Sequence, residues 1–188
     1  FGNSSSLTSN SIATDFSQPV VTNITDNISG IATGNITYSL TFDQDVIYLN
    51  GNSNAFTVNN GSVSSVTGSG KNYTVVVTPD NNKEGNVDLS INTSGGAKNS
   101  ALNTIAVLPN SLSGVSSNKY VQAFDTKGPS VSTISVPSST VSGAIDITVT
   151  LSETIAASQF TASDIAVTSG SIGTVSPPSG TTNTFTVP

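Results

Sequence analysis

Cysteine, histidine, methionine and tryptophan are all absent from the 188 residues. Without cysteine there are no disulfides and no thiolate metal sites, so stability must come from burial or from hard cations held by oxygen. Without histidine or cysteine the usual nucleophile–base triads cannot be built. A Ser–Lys pair stays formally open among so many serines, but nothing in the sequence positions a lysine for it. Positive charge is scarce as well: five Lys, no Arg and a net charge of −6. The basic face that a nucleic acid needs cannot be assembled from that. Asp43 and Asp45 could supply the two carboxylates of a glycoside hydrolase. Sugar platforms are poor, however, with four Tyr and no Trp. No run approaches the roughly 20 apolar residues of a membrane helix. Phe1 is not an initiator residue, which reads as a processed form or a fragment. The chain reads as a non-enzyme.

What is present is Gly, Ser, Thr and Asn, with only 9% charged residues. Such a composition could signal disorder, but the apolar residues alternate, which a packed β-protein requires. Strands are expected at Val20–Thr25, Asn35–Phe42, Val46–Leu49, Ala55–Asn59, Ser62–Val66, Tyr73–Thr78, Asn86–Ile91 and Lys119–Phe124. Val, Ile, Thr and Tyr dominate them, as a pleated half-buried surface prefers. Asn60-Gly61, between Val58 and Val63, is a tight-hairpin signal, because both residues accept positive φ. No window carries a 3.6-residue apolar stripe. Short strands with turn signals every eight to twelve residues predict an all-β fold of antiparallel sandwiches.

The pattern occurs twice. Asp125-x-x-x-Pro129 has an upstream twin in Asp15-Phe16-Ser17-Gln18-Pro19. Behind each proline comes a Val-rich run and then an alternating strand: Ile36, Tyr38, Leu40 and Phe42 in the first copy, Ile145, Ile147, Val149 and Leu151 in the second. The match continues ungapped at an offset of 109 through Val46/Ile155, Phe56/Ile165, Val58/Val167, Gly61/Gly170, Val63/Ile172 and Val66/Val175. That period suits whole sandwich domains. The expected organisation is a tail at 1–18, a first sandwich at 19–127 and a second at 128–188, with Phe124–Pro129 as the hinge. The second copy has no counterpart of the segment from about Pro79 to Asp125. It would be completed by continuing chain or by a strand from elsewhere. Residues 1–14 have three open readings: a loose tail, the last strand of a preceding module, or a strand lent to another subunit.

Asp125-Thr126-Lys127-Gly128-Pro129, with Ile145–Glu153 and Phe160–Gly170, resembles the bacterial immunoglobulin-like repeats of large surface adhesins. The resemblance covers 129–188 closely and 19–125 more loosely. The first copy departs from it through an insertion-like stretch at Ser94–Asn118, and through Ala55 where the second copy has Asp164. The resemblance implies tandem immunoglobulin-like sandwiches, often rigidified by calcium at their junctions, outside the cell or on its surface. The function expected is that of an extender segment of an adhesin. Two rivals stand beside it: a subunit of an extracellular filament assembled by strand exchange between identical subunits, and an accessory carbohydrate-binding module of a secreted enzyme.

In an immunoglobulin-like topology the loop after the second strand returns to the pole where the chain came in. Asp43 and Asp45 are therefore expected near Asp15, and Glu153 near Asp125. Asp26, Asp80 and Glu84 are expected towards the hinge. Like charges gathered this way repel unless a cation intervenes, which makes Ca²⁺ the candidate ligand; ordinary solvated loop acids are the competing reading. Asp80–Gly85 imitates the start of a calcium loop, but its twelfth position is Ile91, so a plain turn is expected. Sequons at Asn3, Asn23, Asn27, Asn35, Asn60, Asn72 and Asn92 are candidate glycosylation sites in a secreted protein.

Overall fold

The computed structural model of the protein describes residues 15–137 and 142–188. The expectation that residues 1–14 act as a tail or donated strand lies outside the described residues. The chain divides into two compact units between Lys127 and Gly128.

Among the described residues, unit 1 has eight strands: β1 (Val21–Asp26), β2 (Ile36–Phe42), β3 (Phe56–Asn59), β4 (Gly61–Ser69), β5 (Asn72–Pro79), β6 (Glu84–Ile91), β7 (Val115–Ser116) and β8 (Lys119–Asp125). They form two antiparallel sheets ordered β1-β2-β5-β4 and β3-β6-β8-β7. The two-residue alternation places Ile36, Tyr38, Leu40 and Phe42 of β2, with Val75 and Val77 of β5, on one buried face. Val87, Leu89 and Ile91 of β6, with Phe124 of β8, join the same core from the second sheet. Each such side chain contributes about 1.5–3 kcal/mol by leaving water. Tyr38 meets Tyr120 edge-on across the sandwich, ring centroids 5.4 Å apart.

Two expectations are corrected here. Val46–Leu49 is an irregular stretch and not a strand, with one isolated bridge from Ile47 to Lys98. Its buried residues, Val46 and Leu49, are three apart where a strand would bury every second residue, and Tyr48 between them has φ +59°. Asn60-Gly61 is no hairpin. β3 and β4 lie in different sheets, and Asn60 at φ +57° turns the chain from one to the other. The tight hairpin lies next door, joining β4 to β5 through Gly70-Lys71. The stretch Ser94–Asn118 is integral to the sandwich: Ala97, Ile105 and Leu108 are buried in the core, and Lys98 bridges Ile47 and Thr104.

Unit 2 contains β9 (Val131–Ser135), β10 (Ile147–Ala156) and β11 (Thr181–Val187), in a three-stranded antiparallel sheet ordered β11-β10-β9. Val149, Leu151, Val175, Phe185 and Val187 form its buried cluster, and Phe160 packs on Phe185 with centroids 4.8 Å apart. The counterparts of β3 and β4 are not strands in this unit. Of β4·β5 pairing it keeps one bridge, Ser176 with Thr186, which exchange hydrogen bonds of 2.9 and 2.8 Å.

Candidate functional site: the strand frame and its acidic poles

The two units share a frame that can be checked residue by residue. In unit 1, β1 pairs with β2 as Val21–Phe42, Asn23–Thr41, Ile24–Leu40 and Thr25–Ser39, with Thr22 bulged out. In unit 2, β9 pairs with β10 as Val131–Leu151, Thr133–Thr150, Ile134–Val149 and Ser135–Thr148, with Ser132 bulged out. The first strand of the frame recurs 110 residues on (Val21 to Val131), and the second recurs 109 residues on (Phe42 to Leu151). β5 and β11 correspond as well: Leu40–Tyr73 and Tyr38–Val75 recur as Val149–Phe185 and Ile147–Val187. A 3-10 turn sits at Ser53–Ala55 and again at Ala162–Asp164.

Polar contacts at the head of the frame recur too. Asp15 Oδ1 accepts the Ser17 N–H at 2.8 Å, and Asp125 Oδ1 accepts the Lys127 N–H at 2.9 Å. Both aspartates thus form Asx turns just ahead of a proline. The Val20 N–H donates to the Asp43 carboxylate at 2.9 Å, and the Asp43 N–H donates back to Val20 O at 3.0 Å. In unit 2, Ser130 and Ser152 repeat the clamp at 3.0 and 2.7 Å, a hydroxyl replacing the carboxylate. The work of Asp43 is therefore to accept a backbone hydrogen bond, which needs no charge.

The acidic residues separate into three settings. At the first pole, Asp15 and Gln44 come together around Asn99, while Asp43, next to Gln44 in the chain, is clamped to Val20. Asn99 is buried, its amide donating to Ser17 O, Gln44 Oε1 and Asp15 Oδ2 at 3.0, 3.0 and 3.3 Å. Its own Oδ1 accepts the Asn103 N–H at 2.9 Å. Ser17, through its side chain first and its backbone second, holds the Asp15 carboxyl below its usual value. Asp45 is exposed, and its charge adds to the burial that raises Tyr73. Tyr73 itself donates to Val46 O at 2.7 Å.

At the hinge-side end of unit 1, lysines meet the acids. Lys83 Nζ lies 2.7 Å from Asp80, and Lys127 Nζ lies 3.9 Å from Glu84, whose residue pairs with Asp125 in the sheet. The Thr126 hydroxyl donates to Asp80 O at 2.6 Å and the Thr126 N–H to Lys83 O at 2.8 Å, closing the Asp80–Glu84 turn onto β8. That stretch is a plain turn. Asp26 stands apart: its carboxylate accepts the Ile28 N–H at 2.7 Å and faces Tyr120. Burial, and then Asp26, push the Tyr120 phenol up to about 12. Glu153 is half-buried in the bulged part of β10, between Thr150 and Ile155. Among the described residues, no three acidic side chains converge as a metal ion would require. The residues the sequence reading missed are Asn99, the two neutralising lysines and the Ser130–Ser152 clamp. The clamp was legible only by allowing the first strand an offset one residue longer than the second.

Asn3 lies outside the described residues. Asn23, Asn27, Asn35, Asn60 and Asn72 are exposed, and Asn92 is half-buried. Asn60 and Asn92 donate their side-chain amides to Asn86 O and Asn54 O at 2.8 and 2.9 Å. A glycan attaches at that nitrogen, so Asn23, Asn27, Asn35 and Asn72 are the better-placed acceptors.

The chain is thus an all-β protein whose first unit is an antiparallel sandwich and whose second repeats half of the same frame. None of its helices among the described residues is long and apolar enough to cross a membrane. No protein-family model, curated protein or solved structure matches the chain.

Proposed function

We propose that this chain is a structural segment of a secreted or cell-surface protein: consecutive sandwich modules that space a binding domain away from its anchor. The observation that carries the reading is the duplicated frame, alike in register, bulge, backbone clamp and Asx turn, with the second copy beginning directly after the first. The order β1-β2-β5-β4 against β3-β6-β8 corresponds to strands A-B-E-D against C-F-G of an immunoglobulin constant-type domain, which supports the resemblance to adhesin repeats. Exposed Asn, Ser and Thr suit a surface that meets solvent and carries glycans. Calcium at the junction is part of this proposal only through the acids flanking the hinge. Adding Ca²⁺ to chelated protein tests it, a rise in melting temperature being the supporting result.

Negative-stain microscopy of the purified chain tests the main reading, with short beaded monomers expected. Long fibres would replace it with the filament reading, which is favoured by the exposure of Val131 and Ile134 on β9. Saturable binding in a soluble-sugar screen would replace it with an accessory carbohydrate-binding module.

A further inference from the structure

Tyr48 of unit 1 is strained and exposed at once. Its φ of +59° lies in the left-handed region, which a bulky L-residue enters only at a cost. Its ring adds little to the core in return, for the residue is 67% exposed while Val46 and Leu49 are buried. The backbone around it is pinned. Ile47 and Lys98 exchange N–H···O bonds of 2.6 and 3.0 Å. The Asn52 side-chain amide donates to Tyr48 O and to Gly95 O, both at 2.8 Å. Strain held by so many contacts occurs where a side chain is positioned for a ligand.

Tyr48 lines an open groove of about 540 Å³. Val46 and Ile47 give it aliphatic walls, Tyr73 adds a second ring, and Gly68 and Gly70 leave backbone where side chains would fill it. Its polar groups are engaged: the Tyr73 hydroxyl donates to Val46 O at 2.7 Å, and Asn50 Oδ1 accepts the Gly68 N–H at 3.1 Å. The charge beside it is negative. Asp45 Oδ1 lies 3.4 Å from where a Cβ on Gly70 would stand, and among the described residues Asp45 makes no ion pair. The neighbouring Lys71 is spent on Asp43 O, to which its Nζ donates at 2.7 Å, and Lys98 does not line the groove.

We infer that this groove binds a quaternary ammonium group of the choline type, seated on the Tyr48 ring with the Asp45 carboxylate at its rim. A cation is drawn to the face of an aromatic ring, and the methyl groups of a quaternary ammonium give Val46 and Ile47 apolar surface to meet. Such a group needs no hydrogen-bond acceptor, and the groove has few to spare. A primary ammonium, with three N–H donors to satisfy, fits worse, and an anion is repelled by Asp45. The inference asks nothing of the spacing role: beaded monomers that bind no choline would overturn it and leave that role standing.

The test is a titration of the full chain with choline, followed by amide chemical shifts. Saturable shifts confined to residues 45–50 and 68–73 are expected, weakening as salt is added. Tyr48→Leu should lower affinity about threefold or more, Asp45→Asn by a similar factor, and Tyr48→Phe, which keeps the ring, should hold it within about twofold of the wild type. The uncharged isostere of choline, with tert-butyl in place of trimethylammonium, should bind at least about threefold more weakly. Tyr48→Gly separates ligand from scaffold: it removes the strain, so it should melt no lower than the wild type while losing choline. Absence of saturable shifts, shifts elsewhere, or equal affinity for the isostere would overturn the inference. So would full binding by Tyr48→Leu, or a Tyr48→Gly variant that melts well below the wild type, since Tyr48 would then serve the fold.

Discussion

Two tyrosines in the core of unit 1 should respond with opposite sign to the same substitution. Tyr38 and Tyr73 are both buried, and each packs edge-on against another ring, Tyr120 at 5.4 Å and Phe42 at 6.0 Å. Replacement by Phe keeps those ring contacts and removes one oxygen. At Tyr73 that oxygen donates to Val46 O at 2.7 Å, so its loss costs about 1 kcal/mol, with the abandoned carbonyl adding to the penalty. At Tyr38 the hydroxyl is buried with no hydrogen-bond partner among the described residues. Removing a desolvated, unpaired polar atom returns about 1 kcal/mol, the low end of the penalty for such a group, because a small void offsets part of the gain. The two variants should therefore differ by about 2 kcal/mol. For a unit of about 110 residues, 1 kcal/mol moves the melting temperature by about 4 °C, so Tyr38→Phe should melt above the wild type and Tyr73→Phe below it. Urea unfolding followed by circular dichroism measures both. Equal destabilisation by the two substitutions would refute the reasoning, since the Tyr38 hydroxyl would then be making a hydrogen bond of ordinary worth.

Other outcomes follow from the same geometry. Asp43→Ser should be tolerated, because Ser152 makes the equivalent clamp in unit 2, whereas Asp43→Ala should lose about 1 kcal/mol in urea unfolding. Asn99→Leu should cost about 2–3 kcal/mol, since it strips several bonds from a buried hub and leaves their partners unpaired. Gly95→Ala should be among the most damaging substitutions, at about 3 kcal/mol or more, because its Cβ would meet backbone atoms of Asn54 and Ala55. Burial raises both Tyr38 and Tyr120, so ionisation is harder in the folded state than in the unfolded one. The stability tied to them is complete below the ordinary phenol value near 10 and falls as pH rises towards about 12. Melting curves across that window should show the decline, and the Tyr38→Phe/Tyr120→Phe double variant should make it shallower, with Tyr73, also raised by burial, leaving the remainder.

The all-β class and most strands of unit 1 were legible because half-buried strands write their faces into the sequence with a period of two. Ile36–Phe42 is the clearest case, four apolar residues separated by Thr and Ser and all buried. The duplication was legible for the same reason: both copies carry the same two-residue alternation, through Ile36–Phe42 and again through Ile145–Leu151. The failures came where local signals are ambiguous. Asn60-Gly61 announces positive φ but not which strand comes next; only the packing of two sheets makes it a crossing between them. Val46–Leu49 is apolar enough for a strand, yet the positive φ of Tyr48 breaks the alternation that a strand needs.

The acids illustrate the other limit. Topology was the ground for expecting Asp43 and Asp45 near Asp15; in the folded chain Asp43 accepts the Val20 N–H, and the intervening Gln44, not Asp45, shares the Asn99 amide with Asp15. The partners of those acids could not be read from sequence, since Lys83, Lys127, Ser17 and Asn99 reach them through turns and side-chain rotamers that only the folded chain fixes. The sequence by itself determined the strands, their alternation and their repetition, all of them consequences of a local two-residue period. The tertiary structure alone decided which apolar faces are covered, because burial depends on what packs opposite, and a strand carries no record of that.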